Sequence, residues 1–322
     1  MTLHILNAEP EGYSPQARRI LAAIGTVEDS HTLSREELLA RIPGADVLIV
    51  RLGHTVDEPL LARAERLRVV VSATTGVDHL DLQAMQARGI AALTLRGETA
   101  FLQTVTATAE HTWGLLLALQ RKLKAAMVMG ASGLWDRDQL RGHELRDATL
   151  GIVGYGRLGR MVAQYGRAFG MRVLVFDPYV QVKDFTQVDS LEVLCARSDV
   201  ISLHVPLNEE TRHLFGASVF AQCKGGAVLI NTSRGAVIDS AALLAALQTG
   251  QIAGAALDVI EGELSPESLP AHPLLQYARE HDNLIITPHI GGATYESMAK
   301  TEVFMAQKLY DYCRGQGWLG SR

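Results

Sequence analysis

The stretch TLGIVGYGRLGRMVAQYGRAFGMRVLVFD, at residues 149–177, decides the fold of this chain. An apolar run typical of a buried strand leads into the glycine-rich turn GYGRLG at residues 154–159, and a helical pattern then connects the turn to a second apolar run. We expect Gly154 to allow the tight turn, Gly156 to let a pyrophosphate approach the backbone, and Gly159 to let the helix pack closely on the strand. The N–H groups at the start of that helix would bind phosphate oxygens.

An acidic residue, Asp177, ends the second apolar run, 18 residues after Gly159. A carboxylate at this point can accept hydrogen bonds from both hydroxyls of an adenosine ribose, and it would repel a 2′-phosphate. The sequence therefore predicts a dinucleotide-binding site with NAD, rather than NADP, as its cofactor.

Apolar runs rich in Val, Ile and Leu alternate with segments of helical period along the chain. This alternation indicates βαβ units and a parallel sheet, so we expect an α/β fold. Strands are predicted near residues 4–6, 47–50, 69–71, 149–153, 172–176, 200–203, 227–231, 254–259 and 284–287. Long helices are predicted at residues 101–124 and 293–314, and the six strands from residue 149 onward suit a doubly wound dinucleotide-binding domain.

Composition restricts the classes of partner. The formal net charge of the 322 residues is −5 without a block of like charges, so we expect neither nucleic-acid nor anionic-membrane binding. Cys195, Cys223 and Cys313 form no disulfide or metal-ligand pattern, which predicts free thiols and no metal. The N-terminus has no signal-peptide pattern and no apolar run reaches the roughly 18 residues of a membrane span, so we expect a cytoplasmic protein.

Polar side chains follow three further predicted strands of the second sheet. They are Arg234 in NTSRGAVID, Asp258 and Glu263 in GAALDVIEGE, and His289 in TPHIGGAT. Because the carboxyl ends of parallel strands meet at one edge, these side chains should lie close together. Each alone has an ordinary structural explanation, such as a solvated loop acid or a structural histidine.

Together these side chains supply one complete chemistry. Reduction of a 2-oxo acid needs a cation for the carboxylate, a proton donor, and a hydride from C4 of a nicotinamide. Arg234 fits the first role because a guanidinium holds planar oxygen pairs bidentately. His289 fits the second because a histidine titrates near neutral pH, with a reference pKa of about 6.5. Glu263 would favour the imidazolium and orient the ring.

From about residue 45 to its end, the chain resembles the D-isomer-specific 2-hydroxyacid dehydrogenases, a family that includes phosphoglycerate, glycerate/hydroxypyruvate and D-lactate dehydrogenases. The resemblance rests on GIVGYGRLGR, HVPLNEETRHLF, NTSRGAVID, the spacing from Asp258 to Glu263, and TPHIGGAT. It implies that Arg234, Glu263 and His289 are catalytic. The cofactor contacts that it implies are Arg157 and Leu158 at the pyrophosphate, Asp177 at the ribose, Val205, Thr232, Ser233, Asp258 at the nicotinamide carboxamide, His289 and Gly291.

The resemblance also implies a domain arrangement. Residues 1–100 and 293–322 would form a flavodoxin-like substrate domain, and residues 101–292 a Rossmann domain inserted into it. In the first domain, SATTGVDHLDL resembles the loop that holds the substrate carboxylate, with Thr74, Thr75 and Gly76 as the candidate residues. Members of the family usually pair through their cofactor domains, so a homodimer is expected.

The substrate stays open between 3-phosphoglycerate and glycerate or hydroxypyruvate. Arg51 matches the position of a phosphate-binding arginine in phosphoglycerate dehydrogenases, and Arg137 could reach the neighbouring subunit's site, although both could equally be surface arginines. The sequence ends after its last helix, so we expect it to lack the regulatory domain of many phosphoglycerate dehydrogenases. Formate dehydrogenase is disfavoured, since its pattern has Gln where Glu263 stands.

Two other functions are alternatives to this one. The same fold serves in NAD(H)-sensing corepressors, which would bind the dinucleotide with little turnover and which retain the same catalytic residues. An NADP-dependent glyoxylate or hydroxypyruvate reductase is the other alternative, and Asp177 argues against it.

Overall fold

The computed structural model describes residues 2–264, 267 and 269–319. The strands are β1 Leu3–Asn7, β2 Gly25–Glu28, β3 Val47–Val50, β4 Val69–Ser72, β5 Ala91–Thr94, β6 Thr149–Val153, β7 Arg172–Phe176, β8 Thr186–Gln187, β9 Val200–Leu203, β10 Ala227–Asn231, β11 Ile252–Leu257 and β12 Leu284–Ile286. The α-helices are α1 Pro15–Ala22, α2 Arg35–Arg41, α3 Glu58–Leu61, α4 Leu82–Ala87, α5 Thr99–Leu102, α6 Ala107–Gln120, α7 Leu123–Ala131, α8 Arg157–Ala168, α9 Leu191–Arg197, α10 Ala217–Gln222, α11 Ser240–Gln248, α12 Pro273–Glu280 and α13 Tyr295–Gly315. Short 3₁₀ turns lie at Ile42–Gly44, Gly235–Val237 and Leu269–Ala271.

The chain divides into two compact units. Unit 1 joins Met1–Val105 to Thr294–Arg322, and unit 2 is Thr106–Ala293. The first boundary lies five residues, and the second one residue, beyond the positions expected from the sequence.

Unit 1 is built on a five-stranded parallel sheet in the order β2-β1-β3-β4-β5. Alternate residues of the strands face opposite sides, and both sides are buried: Ile5 and Ile49 contribute to a core with α1 and α13, while Leu6 and Leu48 contribute to a second core with α2 and α4. Burial on both faces explains why the sequence shows these strands as continuous apolar runs.

Unit 2 is built on a seven-stranded sheet in the order β12-β11-β10-β9-β6-β7-β8. All of its pairings are parallel, and the order reverses between β6 and β9. A crevice at the carboxyl ends of the strands beside such a reversal is where doubly wound sheets bind ligands. The predicted α/β fold with a doubly wound parallel sheet is confirmed, and the short edge strand β8 is an addition to the six predicted strands.

The predicted helix at residues 101–124 is wrong as a single element. The chain forms α5, α6 and α7 instead, because Thr104 and Val105 make tight turns to carbonyls three residues back and Lys122 adopts a left-handed conformation with φ of 51°. β-Branched residues at 104–106 disfavour a continuous helix there. Strand β11 also begins and ends two residues earlier than predicted. Among the described residues, none of the helices is long and apolar enough to cross a membrane.

Candidate functional site

The glycine-rich turn between β6 and α8 is shaped by close backbone approaches. Gly154 has a φ of +91°, and a Cβ on it would lie 2.8 Å from the carbonyl oxygen of His204. A Cβ on Gly159 would overlap the carbonyl oxygen of Gly154, so α8 packs directly on the turn. At Gly156, in contrast, a Cβ would meet no atom within 4 Å among the residues that the structure describes. The turn therefore leaves open space in front of Gly156 where a ligand could approach the backbone.

Helix α8 begins at the edge of this space. Its N-cap is Gly156, which has no side chain to accept hydrogen bonds from the first N–H groups of the helix. Those N–H groups and the positive end of the helix dipole suit a phosphate, so the residues present fit the pyrophosphate of a dinucleotide. Arg157 opens the helix and is half-buried, and its burial lowers the pKa of the guanidinium from its usual value. Leu158 packs against the core of the unit.

The Asp177 carboxylate follows β7 and joins two loops at this edge. One oxygen accepts the backbone N–H of Tyr155 at 2.7 Å, and the other accepts the N–H groups of Tyr179 at 2.9 Å and Val180 at 3.1 Å. Asp177 therefore fixes the glycine-rich turn to the loop that follows β7. A carboxylate oxygen has two lone pairs, so hydroxyls of a ribose could be accepted in addition.

Two of the predicted cofactor residues, Val205 and Thr232, follow strands of the second sheet, the first beside the turn and the second in contact with α6. Val205 follows β9, and its Cγ1 lies 2.9 Å from the point where a Cβ on Gly154 would stand. Thr232 follows β10, is buried, and has its hydroxyl 2.7 Å from that of Thr112 on α6. Since Thr112 donates its proton to the carbonyl of Thr108 at 2.7 Å, the Thr232 hydroxyl is the donor of this pair.

Asn231 orders the loop that carries Arg234. Its Oδ1 accepts the N–H of Ser233 at 2.9 Å and the Ser233 hydroxyl at 2.7 Å, while its Nδ2 donates to the Arg234 carbonyl at 2.9 Å. Arg234 Nη1 donates to the Ser233 carbonyl at 2.7 Å. A Cβ on Gly235 would overlap the backbone of Ile260, so this loop lies directly against the segment that follows β11. Asn231 was not predicted as a site residue from the sequence, although its place at the end of β10 was the available signal.

His289 and Glu263 form a pair at the same edge of the sheet. The Nδ1 atom of His289 lies 2.7 Å from Oε1 of Glu263, and both side chains are about a quarter exposed, at 27% and 21%. The other carboxylate oxygen of Glu263 accepts the N–H of Ile260 at 3.2 Å. The carboxylate thus orients the ring and leaves Nε2 as the nitrogen that could exchange a proton with a substrate.

Asp258 holds the loop from which His289 projects. Its carboxylate accepts the Thr287 hydroxyl at 2.6 Å, the Ile290 N–H at 2.9 Å and the Gly291 N–H at 2.7 Å, and its carbonyl accepts the His289 N–H at 2.8 Å. Burial raises the pKa of the Asp258 carboxyl, but the hydrogen bonds that it accepts, from the ring of the nearby His111 first, lower it below its usual value overall. Its expected contact with a nicotinamide carboxamide stays a prediction.

The predicted substrate residues of unit 1 lie in two places. In the loop after β4, the Thr74 hydroxyl donates to the Gly76 carbonyl at 2.7 Å and lies 2.9 Å from the Ser72 hydroxyl, while Thr75 is exposed. Ser72 in turn is 3.0 Å from Nε2 of the buried His79. This loop is therefore ordered by side-chain hydrogen bonds.

Arg51 is engaged within unit 1. Its guanidinium forms an ion pair with Glu302 of α13, whose side chain is only 2% exposed, and it donates to the Glu11 carbonyl at 3.2 Å. Burial raises the pKa of the Glu302 carboxyl, and Arg51 acts in the opposite direction. Arg137 lies in unit 2, in the exposed segment after α7.

The chain is similar to known proteins over most of its length. Residues 113–291 match the family model described as D-isomer specific 2-hydroxyacid dehydrogenase, NAD binding domain. The D-3-phosphoglycerate dehydrogenase of Methanocaldococcus jannaschii is 38% identical over 306 residues, which cover 93% of this chain and 56% of that protein. The hydroxypyruvate reductase of Thermotoga maritima is 34% identical over 282 residues, which cover 87% of this chain and 89% of that protein.

A solved structure shows the same similarity. The D-lactate dehydrogenase from Aquifex aeolicus, complexed with NAD and lactic acid, has a TM-score of 0.83 and 29% identity, with 99% of this chain and all of that chain covered. The chain spans just over half the length of the first curated relatives that it matches, which are D-3-phosphoglycerate dehydrogenases. The match to the NAD-binding domain confirms NAD as the predicted cofactor. The resemblance seen in the sequence is also confirmed, and the chain belongs to the D-isomer specific 2-hydroxyacid dehydrogenase family.

Proposed function

We propose that the protein is an NAD-dependent dehydrogenase that transfers a hydride between nicotinamide and C2 of a small 2-hydroxy or 2-oxo acid. The pairing of His289 Nδ1 with Glu263 at 2.7 Å carries this proposal, because it presents an oriented proton donor at the edge of the sheet that also bears the glycine-rich turn. Bound NAD would supply the hydride acceptor or donor. The turn at residues 154–159, the start of α8 and Asp177 would hold it.

The side chains of the site take distinct roles in this proposal. Arg234 binds the carboxylate of the acid and polarises the 2-oxo group through its guanidinium fork. In the reducing direction, Nε2 of His289 donates a proton to the 2-oxo oxygen, and in the oxidising direction it removes the proton from the 2-hydroxyl. Glu263 keeps the ring oriented through its hydrogen bond with Nδ1. Thr74, Thr75 and Gly76 would hold the substrate carboxylate through backbone N–H groups.

The ion pair of Arg51 favours an acid without a phosphate group. A phosphate that recruited this guanidinium would leave the carboxylate of Glu302 buried without its cation, and an unpaired buried charge is costly. Similarity to a hydroxypyruvate reductase over nearly its full length is compatible with such a substrate. We therefore favour hydroxypyruvate, glyoxylate or a related small 2-oxo acid over phosphohydroxypyruvate.

NADH oxidation by the purified protein tests the proposal against glyoxylate, hydroxypyruvate, phosphohydroxypyruvate, pyruvate and longer 2-oxo acids. We expect turnover with an unphosphorylated acid, with NADH preferred over NADPH. A clear preference for phosphohydroxypyruvate, reduced by Arg51→Gln, would overturn the substrate assignment. NADH binding without turnover of any acid would contradict the enzymatic role and support a dinucleotide-sensing protein instead.

We also propose a homodimer. Helix α7 and the segment after it expose the apolar side chains Met127, Val128, Leu134 and Trp135, which are 61% to 93% exposed. Large exposed apolar side chains grouped in one segment of the chain mark it as a candidate interface between subunits. Light scattering should give the mass of two chains, and Trp135→Glu should shift it toward one; a monomeric wild-type protein would contradict this assignment.

We also propose that the protein is cytoplasmic. This location is supported by Cys195, Cys223 and Cys313, which are buried free thiols, as is usual in a reducing compartment.

A further inference from the structure

His111, a histidine that has no role in the proposed chemistry, lies next to the loop of residues 287–291 that carries His289. His111 projects from α6, and its side chain is 21% exposed. Its Nε2 lies 3.0 Å from the hydroxyl oxygen of Thr287 and 3.2 Å from Oδ1 of Asp258. All three residues belong to unit 2, and Asp258 is almost completely buried.

The direction of these hydrogen bonds follows from counting protons. The ionised Asp258 carboxylate only accepts, so the Thr287 hydroxyl donates its single proton to Oδ1, at 2.6 Å. The Thr287 oxygen is then left as an acceptor. Nε2 of His111 must therefore carry a proton and donate it toward Thr287 and Asp258.

The carboxylate that His111 contacts fixes the backbone of the proposed proton donor. Asp258 accepts the N–H groups of Ile290 and Gly291, the two residues after His289. His289 itself has a φ of 54°, a left-handed conformation that is unfavourable for a non-glycine residue. The loop therefore needs its hydrogen bonds to hold the imidazole in place.

Helix α6 contacts this loop and the loop after β10 with one face. Thr108, His111 and Thr112 are spaced three and four residues apart, so their side chains lie on the same side of the helix. Thr112 bonds to Thr232 at 2.7 Å, and a Cβ on Gly291 would lie 3.3 Å from Cγ2 of Thr108. One helix face thus sets the positions of both loops.

We propose that His111 is a positioning residue for His289, acting through the hydrogen bonds of its Nε2–H to Thr287 and Asp258. This inference rests on the proposed function of His289 as proton donor. Removal of the N–H should impair the chemical step, because the ring must be aligned with the reacting oxygen, while the dinucleotide contacts of the glycine-rich turn stay intact.

The first experiment compares His111→Leu, which removes the N–H, with His111→Gln, whose amide can place an N–H near the same point. We expect kcat to fall about tenfold in His111→Leu and to return to within about threefold of wild type in His111→Gln. The KM for the acid and the Kd for NADH should change less than about twofold in both. His143→Leu, the same substitution at an exposed histidine of unit 2, is the matched control and should match wild type.

Three outcomes of this experiment would overturn the proposal. Equal loss in the Leu and Gln variants would show that the N–H is not what matters. An unchanged kcat in His111→Leu would show that the network does not position the ring. A weakened Kd for NADH with normal kcat would assign His111 to cofactor binding instead.

A second readout does not depend on catalysis. Deuterium exchange of a peptide containing residues 287–291, measured with and without NADH, reports on the Ile290 and Gly291 N–H groups directly. We expect exchange about tenfold faster in His111→Leu and exchange like wild type in His111→Gln and His143→Leu. If the wild-type protein reduced no acid, the proposed function would fail, and this measurement would still decide whether His111 orders the loop.

Thr287 provides an independent pair of variants, including the case in which His111→Leu does not fold. Thr287→Val removes the bridging hydroxyl, whereas Thr287→Ser keeps it, so only the valine variant should lose activity. The double variant His111→Leu/Thr287→Val should lose no more than the larger single loss, since both changes break one network. Fully additive losses would mean that the two residues act separately and would contradict the proposal.

Discussion

The Nδ1 atom of His289 lies 2.7 Å from Oε1 of Glu263, although the two residues follow different strands. The His289 backbone is left-handed, with a φ of 54°, and such a conformation persists only where the surrounding structure enforces it. Here the N–H groups of residues 289–291 are all accepted by Asp258. The strain is therefore located at the residue to which we assign proton transfer.

His289→Asn separates the backbone conformation from the chemistry. Asparagine tolerates the left-handed region better than most residues, so the loop should keep its shape, but an amide cannot exchange protons near neutral pH. We expect kcat to fall by roughly 10²–10⁴ with little change in the Kd for NADH, measured by NADH fluorescence and steady-state kinetics. Near-normal turnover would show that another group transfers the proton.

Two glycines of the turn should respond differently to the same substitution. Gly156→Ala meets open space in the structure and its φ is −75°, so the free energy of unfolding should change by less than about 1 kcal/mol. NADH binding should weaken at least tenfold, because the methyl group would occupy the approach to the backbone. Urea unfolding and NADH titration measure the two effects.

Gly159→Ala is the matched comparison. Its methyl group would overlap the Gly154 carbonyl, so α8 must shift, and we expect a loss of about 2 kcal/mol or more in stability. If Gly156→Ala bound NADH normally, the dinucleotide would not approach the turn as we infer.

Asp177 should decide between the two dinucleotides. Asp177→Asn keeps an oxygen that can accept the Tyr155 N–H but removes the charge that would repel a 2′-phosphate. We expect the ratio of kcat/KM for NADH to that for NADPH to fall about tenfold or more, with a small change in Tm. Asp177→Ala should lower the Tm further, since it releases the turn as well. An unchanged ratio in both variants would locate the ribose contact elsewhere.

The sequence predicts the site residues that lie close together in the chain or that directly follow neighbouring strands of one sheet. The turn at residues 154–159 and Asp177 belong to one βαβ unit, while Arg234, Asp258 and His289 end consecutive strands of one sheet. Contacts between segments that are far apart in the sequence leave no recognisable pattern in the sequence itself. His111 and Thr287 are 176 residues apart, and the pairing of Arg51 with Glu302 spans 251 residues. Such partners depend on how helices pack, which spacing alone does not specify.

His204 follows β9, beside the glycine-rich turn. Its Nε2 lies 2.9 Å from the Ser202 hydroxyl, and burial lowers the pKa of the ring from 6.5 to about 3. The folded protein therefore keeps this ring neutral, whereas the unfolded chain binds a proton below about pH 6.5. Because the unfolded state binds more protons in the window from pH 6.5 to 3, acid shifts the equilibrium toward unfolding.

His204 should thus contribute a loss of stability of up to about 1.4 kcal/mol per pH unit as the pH falls through this window. His204→Gln cannot titrate, so its free energy of unfolding, measured by urea denaturation at pH 7.5, 6 and 5, should decline less steeply than that of the wild type. His143→Gln, at an exposed site, should retain the wild-type slope. If the free energies of unfolding of His204→Gln and the wild type declined in parallel, the His204 ring would take up a proton in the folded state as readily as in the unfolded chain. Burial would then not keep this ring neutral.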